Sequence, residues 1–478
     1  MLINKEVFIM RNAHPRYMCF PSVVCVGRET EVSIVPRDIS RIFRDNKEYE
    51  LCVVGLREDQ LEYHTKLPKD YPCSVSDGCL HFTYSFDYEQ EYSIRFCEKG
   101  GTEIKISMYA VNEDLYELRP LKGDLHTHTY YSDGQDGIAM TPADYREEGF
   151  DFFALTDHNR MYPSELVAEL YKDIPLGMHI MKGEEVHTPG SALHIINAGG
   201  ESSVCNQYIH QPDAYEAAVD EIARALTHVP EQYRRRTAMA KWACEEIHKG
   251  GGLAIFPHPF WCPNRYNVTA EFCDILFNEK IFDAFELIGG IACKNNNLQL
   301  ALWQEQAMKG NVLPVVGSSD SHNHDSSKGG FARRFTVVFA KDNTTEAILE
   351  AIRGGYSVAG EVPKESEEEV RFYGSQVRLV AFAHFLYENY FNETWRLCVG
   401  EGILMRRYAE GEPVADLLAA LKDTVENFYK RYYGIATAPV ITKERKTFLD
   451  KCLETQRTVG PITKGSSLVI SYNNERRE

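Results

Sequence analysis

Two histidines with one residue between them begin the stretch of this chain that is best suited to hold a metal ion. They are His126 and His128, and Asp133 follows five positions after the second. Side chains alternate along an extended backbone, so the two imidazoles point to the same side. Imidazole and carboxylate groups gathered in this way predict a site for a divalent cation. A single His-x-His pattern is a weak signal, so the rest of the chain has to decide.

The same residue types recur in four further clusters. The clusters are Asp157-His158, Glu184-Glu185, Pro257-His258-Pro259 and Asp320-Ser321-His322. Apolar runs precede three of them, at residues 152–155, 253–256 and 312–316. Short apolar runs bounded by Gly or Pro are typical of strands that are buried on both faces. Polar clusters at the ends of such strands are the pattern of an α/β barrel with its site at one end.

These motifs, in this order and spacing, resemble the PHP (polymerase and histidinol phosphatase) superfamily. The resemblance covers residues 120–360. It implies an α/β fold, with a distorted, TIM-like (β/α)7 barrel and two or three divalent metal ions. Histidine and carboxylate ligands favour zinc, manganese or iron over calcium.

The resemblance also implies which side chains bind each ion. The ligands of the first ion are His126, His128, Glu185 and Asp320. Those of the second are Glu185, which bridges, His194 and His258. Those of the third are Asp133, His158 and His322. The position of Asp133 is the least constrained, because some family members have a histidine there.

Neighbours of these ligands are expected to support them. Asp157 lies directly before His158 and faces the other side of the strand, where a carboxylate orients neighbouring groups. Glu184 faces away from Glu185 for the same reason, which predicts a surface or supporting role. His187 shares a face with Glu185, and we predict a non-ligand role for it.

Substrate contacts are expected from basic and aromatic residues beside the motifs. A phosphate needs cations, and Arg160 follows the His158 motif directly. Arg333 and Arg334 are adjacent on one strand, so at most one of them, with Arg334 favoured, enters the site. Lys182 is a further candidate, although a solvated position fits it equally well. Phe260 and Trp261 are expected either to stack on a base or sugar or to pack beneath a loop.

Metal ions about 3.5 to 4 Å apart turn a bound water into a hydroxide and neutralise phosphoryl oxygens. The sequence therefore predicts a phosphoesterase that hydrolyses a small phosphorylated metabolite or nucleotide. His187, His324 or a water are the candidates for the general acid, although a solvated loop is the preferred interpretation for His324. Two alternatives remain open: a metallohydrolase of carboxylic esters or amides, and a non-catalytic PHP module that only binds a partner.

Composition agrees with a cytoplasmic enzyme. Of 478 residues 44% are hydrophobic, and the net charge is −18, which argues against nucleic acid or an anionic membrane as partner. The thirteen cysteines form no Cys-x-x-Cys pair, as expected for reduced thiols. No apolar stretch reaches the length of a signal peptide core or a membrane span. The oligomeric state stays open.

Three regions are expected along the chain. Residues 1–119 have short apolar runs and a hairpin signal at Asp77-Gly78, which predict a β-sandwich-like domain. Residues 120–360 form the metal-binding barrel, and residues 361–478 a mostly helical region.

Several local features are interpreted in the same way. The scattered His14, His64 and His81 are predicted to be structural. Residues 201–233 are a long insertion that is expected to form a lid or a wall of the site. The acidic run 364–369 predicts a linker or a helix start.

Overall fold

The computed structural model describes residues 16–56, 69–324, 331–363 and 369–459. His14, His64 and most of the acidic run 364–369 lie outside the described residues. No helix in these ranges is long and apolar enough to cross a membrane. The cysteines up to Cys398 in these ranges are all free.

The N-terminal region consists of two four-stranded sheets. Its strands are β1 (Tyr17–Phe20), β2 (Val23–Cys25), β3 (Glu29–Pro36), β4 (Tyr49–Gly55), β5 (Ser74–Ser76), β6 (Cys79–Ser85), β7 (Gln90–Glu98) and β8 (Ile104–Val111). The strand orders are β1-β3-β6-β5 and β2-β8-β7-β4. Side chains of both sheets, such as Leu80 and Ile94, share one buried core, as a sandwich requires.

The hairpin predicted at Asp77-Gly78 is confirmed. These two residues connect β5 to β6, which pair antiparallel. Both have positive φ, +50° and +73°, which a two-residue turn of this kind needs and which glycine adopts without strain. His81 on β6 lies 3.0 Å from Ser33 Oγ through its Nδ1, in keeping with a structural role.

The central region alternates strands and helices. Its elements are α1 (Glu113–Tyr116), β9 (Arg119–Asp124), α2 (Thr141–Glu147), β10 (Phe152–Ala154), α3 (Tyr162–Tyr171), β11 (His179–Met181), β12 (Gly183–His187), β13 (His194–Ala198), α4 (Val204–His210), α5 (Pro212–Ala225), α6 (Glu231–Lys249), β14 (Leu253–Phe256), α7 (Ala270–Glu279), β15 (Ala284–Ile288), α8 (Cys293–Met308), β16 (Val315–Gly317), β17 (Arg334–Ala340), α9 (Thr345–Arg353), β18 (Ser357–Glu361) and β19 (Arg371–Tyr373). The prediction of an α/β chain is confirmed.

The strands of this region belong to two open sheets among the described residues. Their orders are β11-β10-β9-β17-β18-β19 and β12-β13-β14-β15-β16. Strands β9, β10 and β11 run parallel, as do β14, β15 and β16. Strand β13 runs antiparallel to both of its neighbours. The closed (β/α)7 barrel therefore stays a prediction.

Helices form the C-terminal region. They are α10 (Val377–Leu386), a π-helical turn (Tyr387–Phe391), α11 (Asn392–Ala409), α12 (Ala415–Tyr432) and α13 (Lys443–Val459). Their aromatic residues pack inward, and Phe382, Tyr390 and Phe391 are buried. A buried ion pair joins this region to α2, with Arg146 Nε 2.7 Å from Glu401 Oε2.

Candidate metal centre

The polar clusters of the sequence meet at one end of the central strands. His126 and His128 follow β9, His158 follows β10, and His258 and Asp320 follow β14 and β16. His194 instead begins β13, and because that strand runs antiparallel, its first residue lies at the same end as the last residues of its neighbours. Isolated parallel bridges, Thr127 to Ser321 and His158 to Glu185, tie the loops together there.

Glu185 lies at the middle of this group and is fully buried. Its Oε1 atom is 2.7 Å from His194 Nδ1 and 3.2 Å from His258 Nε2. Its Oε2 atom is 3.4 Å from Nε2 of both His126 and His128. Oε2 is also 2.7 Å from His158 Nδ1. Each carboxylate oxygen thus faces its own set of imidazoles, which is the arrangement expected of a carboxylate that bridges cations.

Asp320 completes the group around His126 and His128. Its Oδ1 atom is 3.3 Å from His126 Nε2 and 3.1 Å from His128 Nε2. The backbone there is strained, since Asp320 has φ +49° and His258 has φ +23°. Positive φ is rare for such residues and is concentrated at functional sites, where it aims a side chain.

A third group lies at the outer side of the cluster. Asp133 Oδ1 is 3.4 Å from His158 Nε2 and 3.2 Å from His322 Nε2. The Asp133 side chain is 57% exposed, in contrast to the buried Glu185. The three sets of residues that the resemblance implies are therefore close together in space, with the third nearest to solvent.

The buried atoms of the cluster lack hydrogen-bond partners. Orphaned atoms among the described residues include both oxygens of Glu185, Nε2 of His126, both nitrogens of His128, Nδ1 of His158, Nε2 of His187 and Nδ1 of His194. Buried polar groups without partners cost about 1 to 3 kcal/mol each. A cation removes this cost where an imidazole nitrogen and a carboxylate oxygen face each other, because both lone pairs can coordinate it. The nitrogen and oxygen donor set fits Zn²⁺, Mn²⁺ or Fe²⁺.

Charge within the cluster keeps the carboxylates ionised. Burial acts to raise the pKa of Glu185, but the imidazoles of His194 and His126 outweigh it and hold that pKa well below its ordinary value. Burial also acts to raise the pKa of Asp320. The imidazoles of His126 and His128 outweigh this effect, so the pKa of Asp320 is lowered as well. Both groups are therefore anionic, as metal ligands must be.

Asp157 lies where a supporting role was predicted. Its Oδ1 accepts from the Thr129 backbone N–H at 2.8 Å, and its Oδ2 accepts from the Thr129 hydroxyl at 2.6 Å. The Ser132 hydroxyl donates to the same carboxylate. The carboxylate thus holds the loop that carries Asp133, rather than pointing into the cluster.

Two carboxylates have buried positions that the sequence did not reveal. Glu184 accepts from Val204 N–H at 2.5 Å and from the Ser203 hydroxyl at 2.8 Å, so it supports helix α4 from within the core. Glu286 is buried in β15, 2.9 Å from His126 Nδ1. A signal for Glu286 was present in the sequence, since it is the single acid within the apolar run 284–288.

Three predicted contact residues border the cluster. His187 stacks on His194 with ring centroids 3.7 Å apart, and its Nε2 is 3.8 Å from Glu185 Oε2. Arg160 is exposed and donates to the backbone carbonyls of His158 and Tyr131. Trp261 is 40% exposed, and its ring centroid lies 6.2 Å from that of His194.

The predicted insertion also reaches the site. Tyr208 on α4 donates at 2.9 Å to the side-chain oxygen of Asn159 and at 3.0 Å to the backbone carbonyl of His187. Asn159 Oδ1 in turn accepts from the His187 N–H at 2.9 Å. This part of residues 201–233 therefore forms a wall behind His187, and its role as a lid stays a prediction.

Other candidates have partners elsewhere. Lys182 pairs with Glu201 on the surface, and Arg334 faces Glu361, with 3.7 Å between Nη2 and Oε1. Phe260 is buried, which favours packing for that residue.

The interpretation of His324 as part of a solvated loop is wrong. Its side chain is 3% exposed, and Nδ1 lies 2.9 Å from Asp144 Oδ2. The ring packs against Tyr145 and Phe331, because the chain turns inward after the last motif. We therefore remove His324 from the candidates for general acid.

Comparison with known proteins gave structural neighbours only. No family model matches the chain, and no curated protein matches it. One similar structure is a two-domain protein from Bacteroides vulgatus that contains a predicted PHP-like metal-dependent phosphoesterase, with 21% identity, a TM-score of 0.37 and coverage of 51% of this chain. This chain spans 65% of the length of that protein.

Two further structures are similar to parts of the chain. One, from Bifidobacterium adolescentis, is assigned as a metal-dependent phosphoesterase (16% identity, TM-score 0.31, covering 42% of this chain and 87% of that one). The other is an amidohydrolase from Chromobacterium violaceum with bound sulfate and no metal (18% identity, TM-score 0.28, covering 43% of this chain and 88% of that one). One of these neighbours contains a domain described as PHP-like, the superfamily that the motifs resemble. At these TM-scores the likeness carries no argument about activity, which has to come from the site.

Proposed function

We propose that the chain is a metal-dependent phosphoesterase that hydrolyses a small phosphorylated metabolite or nucleotide. The observation that supports this most directly is Glu185, a buried carboxylate whose two oxygens face separate sets of imidazoles. Two cations bridged in this way, when bound, supply an activated water and positive charge for a phosphoryl group.

The proposal assigns the nine ligands as the resemblance implies them. The ligands of the first ion are His126, His128, Glu185 and Asp320; those of the second are Glu185, His194 and His258; those of the third are Asp133, His158 and His322. The third ion is the most exchangeable, because the carboxylate of Asp133 is largely in solvent.

Arg160 is the proposed phosphate contact. Two backbone carbonyls hold its guanidinium beside the third group, while its side chain stays open to solvent. A fixed guanidinium suits two oxygens of a phosphate. Arg334 is a second contact in this proposal, although its partner Glu361 would then have to be released.

His187 is the proposed general acid. Its Nε2 is buried, has no hydrogen-bond partner and lies within the cluster. A proton held at this atom can be donated to a leaving alkoxide on the side of the cluster where the rings of His158 and His194 lie. The wall formed by Tyr208 keeps the His187 backbone in place.

The fold proposal follows from how the two central sheets meet. One buried cluster contains side chains from both, among them Leu121, Ala154, Ile255 and Val316. At the seam the Gly317 N–H donates to Thr336 Oγ1 at 3.1 Å. We infer that the sheets form the distorted (β/α)7 barrel together. The proposed domains are residues 1–119, 120–360 and 361–478, and the proposed location is the cytoplasm.

A direct assay tests the function. The protein is purified without chelator, its metals are quantified, and phosphomonoesters, phosphodiesters and aryl carboxyl esters are supplied with Mn²⁺ or Zn²⁺. We expect turnover of phosphate esters, and a KM at least tenfold higher in Arg160→Ala with the metal content unchanged. Hydrolysis of carboxyl esters or amides alone would favour the alternative hydrolase. Bound metal without any turnover would favour a binding module.

A further inference from the structure

One acidic side chain beneath the cluster has no place in the implied ligand sets. Glu286 lies in the middle of β15, whose five residues are all buried. Its Oε2 atom is 2.9 Å from His126 Nδ1, and its Oε1 atom has no hydrogen-bond partner. A buried carboxylate is costly unless it is paired, so its position here calls for a function.

The contact determines which nitrogen of His126 faces the cluster. A carboxylate only accepts hydrogen bonds, so the shared proton lies on Nδ1 of His126. Nε2 then presents a lone pair, and it lies 3.4 Å from Glu185 Oε2 and 3.3 Å from Asp320 Oδ1. A lone pair among carboxylate oxygens is repelled unless a cation lies between them.

The backbone around Glu286 is held by neighbouring side chains. An added Cβ at Gly289 would lie 2.5 Å from Glu286 Oε1, so the backbone of Gly289 lies close against the carboxylate. The Asn296 side chain binds the backbone of Gly289 twice. Its Oδ1 accepts from the Gly289 N–H and its Nδ2 donates to the Gly289 carbonyl, both at 3.0 Å. Gln299 donates to the backbone carbonyl of Glu286 at 3.1 Å.

We propose that Glu286 is a positioning residue that sets the tautomer and orientation of His126 for the first metal ion. Its negative charge also makes Nε2 a stronger donor. Partners of this kind typically change metal affinity by about 10- to 100-fold. The inference rests on the metal centre of the proposed function, and it is independent of which ester is hydrolysed.

Zinc binding tests the proposal in Glu286→Ala and Glu286→Gln. Asp283→Asn is the matched control, because Asp283 lies directly before β15 and its Oδ2 is 2.9 Å from His248 Nε2, a similar pair away from the cluster. Each protein is stripped and titrated with Zn²⁺ against a chromogenic chelator, bound zinc is counted by elemental analysis, and melting is recorded with and without zinc.

We expect Glu286→Ala to bind one zinc ion about 10- to 100-fold more weakly than the wild type. Glu286→Gln should lie between the two, because an amide oxygen accepts the same N–H without the charge. Asp283→Asn should bind like the wild type. The zinc-induced rise in melting temperature should shrink in the same order.

Equal affinity and stoichiometry in Glu286→Ala and wild type would overturn the inference and leave the metal centre standing. If the wild type bound no zinc, manganese or iron, the proposed function itself would fail. If Glu286→Ala did not fold, the Gln variant, which keeps the volume, would decide: unchanged zinc affinity there would count against a role for the charge.

Discussion

Replacing Glu185 by Gln is the sharpest test of the centre. The change keeps the shape of a fully buried side chain and removes only the charge and one strong ligand oxygen. Because the two oxygens face the His126–His128 pair and the His194–His258 pair separately, the substitution should weaken two ions at once. In the third group His158 also contacts Glu185, with 2.7 Å between Nδ1 and Oε2, so that ion should be weakened less than the other two but not left unchanged.

The size of the effect follows from linkage. An ion that binds only the folded state contributes about 4 kcal/mol to stability when its free concentration is 1,000 times its Kd. Loss of two such ions removes about 8 kcal/mol of metal-linked stabilisation. Three filled sites would together contribute about 12 kcal/mol, so roughly two thirds of the total is lost. If the proposed function holds, kcat should also fall at least about 1,000-fold, which corresponds to about 4 kcal/mol of transition-state stabilisation.

The assay compares unfolding with zinc and with chelator. Glu184→Gln is the control, since Glu184 is the adjacent buried residue and contacts Val204 and Ser203 instead of the imidazoles. We expect the gap between zinc-loaded and chelated stability to shrink in Glu185→Gln and to persist in Glu184→Gln. An unchanged gap and unchanged metal content in Glu185→Gln would refute the bridging role.

Three further predictions concern other parts of the molecule. Trp261→Ala should lower kcat/KM for aryl phosphates about three- to tenfold, which corresponds to about 0.5 to 1.5 kcal/mol of aromatic contact. The kcat/KM for alkyl phosphates should not change. Equal losses for both substrates would count against stacking by this exposed indole. Glu401→Ala should destabilise the chelated protein by about 3 kcal/mol in urea unfolding, at the low end for a broken buried pair. Among the described residues, the buried Arg146 then keeps only Asp151, 3.3 Å from its Nη1, as an ionic partner. A change below about 1 kcal/mol would be contrary evidence. Burial lowers the pKa of His179 below 6.5. The contribution of the neutral imidazole to the free energy of unfolding is therefore complete above pH 6.5 and is lost as the pH falls toward the lowered pKa. His179→Gln should lose less stability than the wild type between about pH 7 and 5, and identical pH profiles would contradict this.

Local patterns predicted much of the secondary structure. Helix α9 (Thr345–Arg353) begins with the Thr344 hydroxyl accepting from the Ala347 N–H, and a threonine at this position is a local sequence signal for a helix start. Pro142 lies in the first turn of α2, where the fixed φ of proline suits the start of a helix. These features depend on residues within one or two turns of each other, which is why the sequence reveals them.

Contacts between distant segments were harder to predict. Glu184 was expected at the surface or in support of a neighbour, and it is buried because α4 of the insertion covers it. His324 was interpreted as solvated, yet Asp144 on α2 binds it. In both cases the partner comes from an element whose position depends on the packing of the whole chain.

By itself, the amino-acid sequence determined that His126 and His128 share one side of the backbone and that imidazole and carboxylate groups end the buried strands, because alternation and hydrophobic runs are local properties. Only the tertiary structure decided that β13 runs antiparallel and so brings His194 to the cluster. It also decided which imidazoles face each oxygen of Glu185, and that Glu286 lies behind His126. Those relations depend on strand pairing between segments far apart in the chain, which no local pattern encodes.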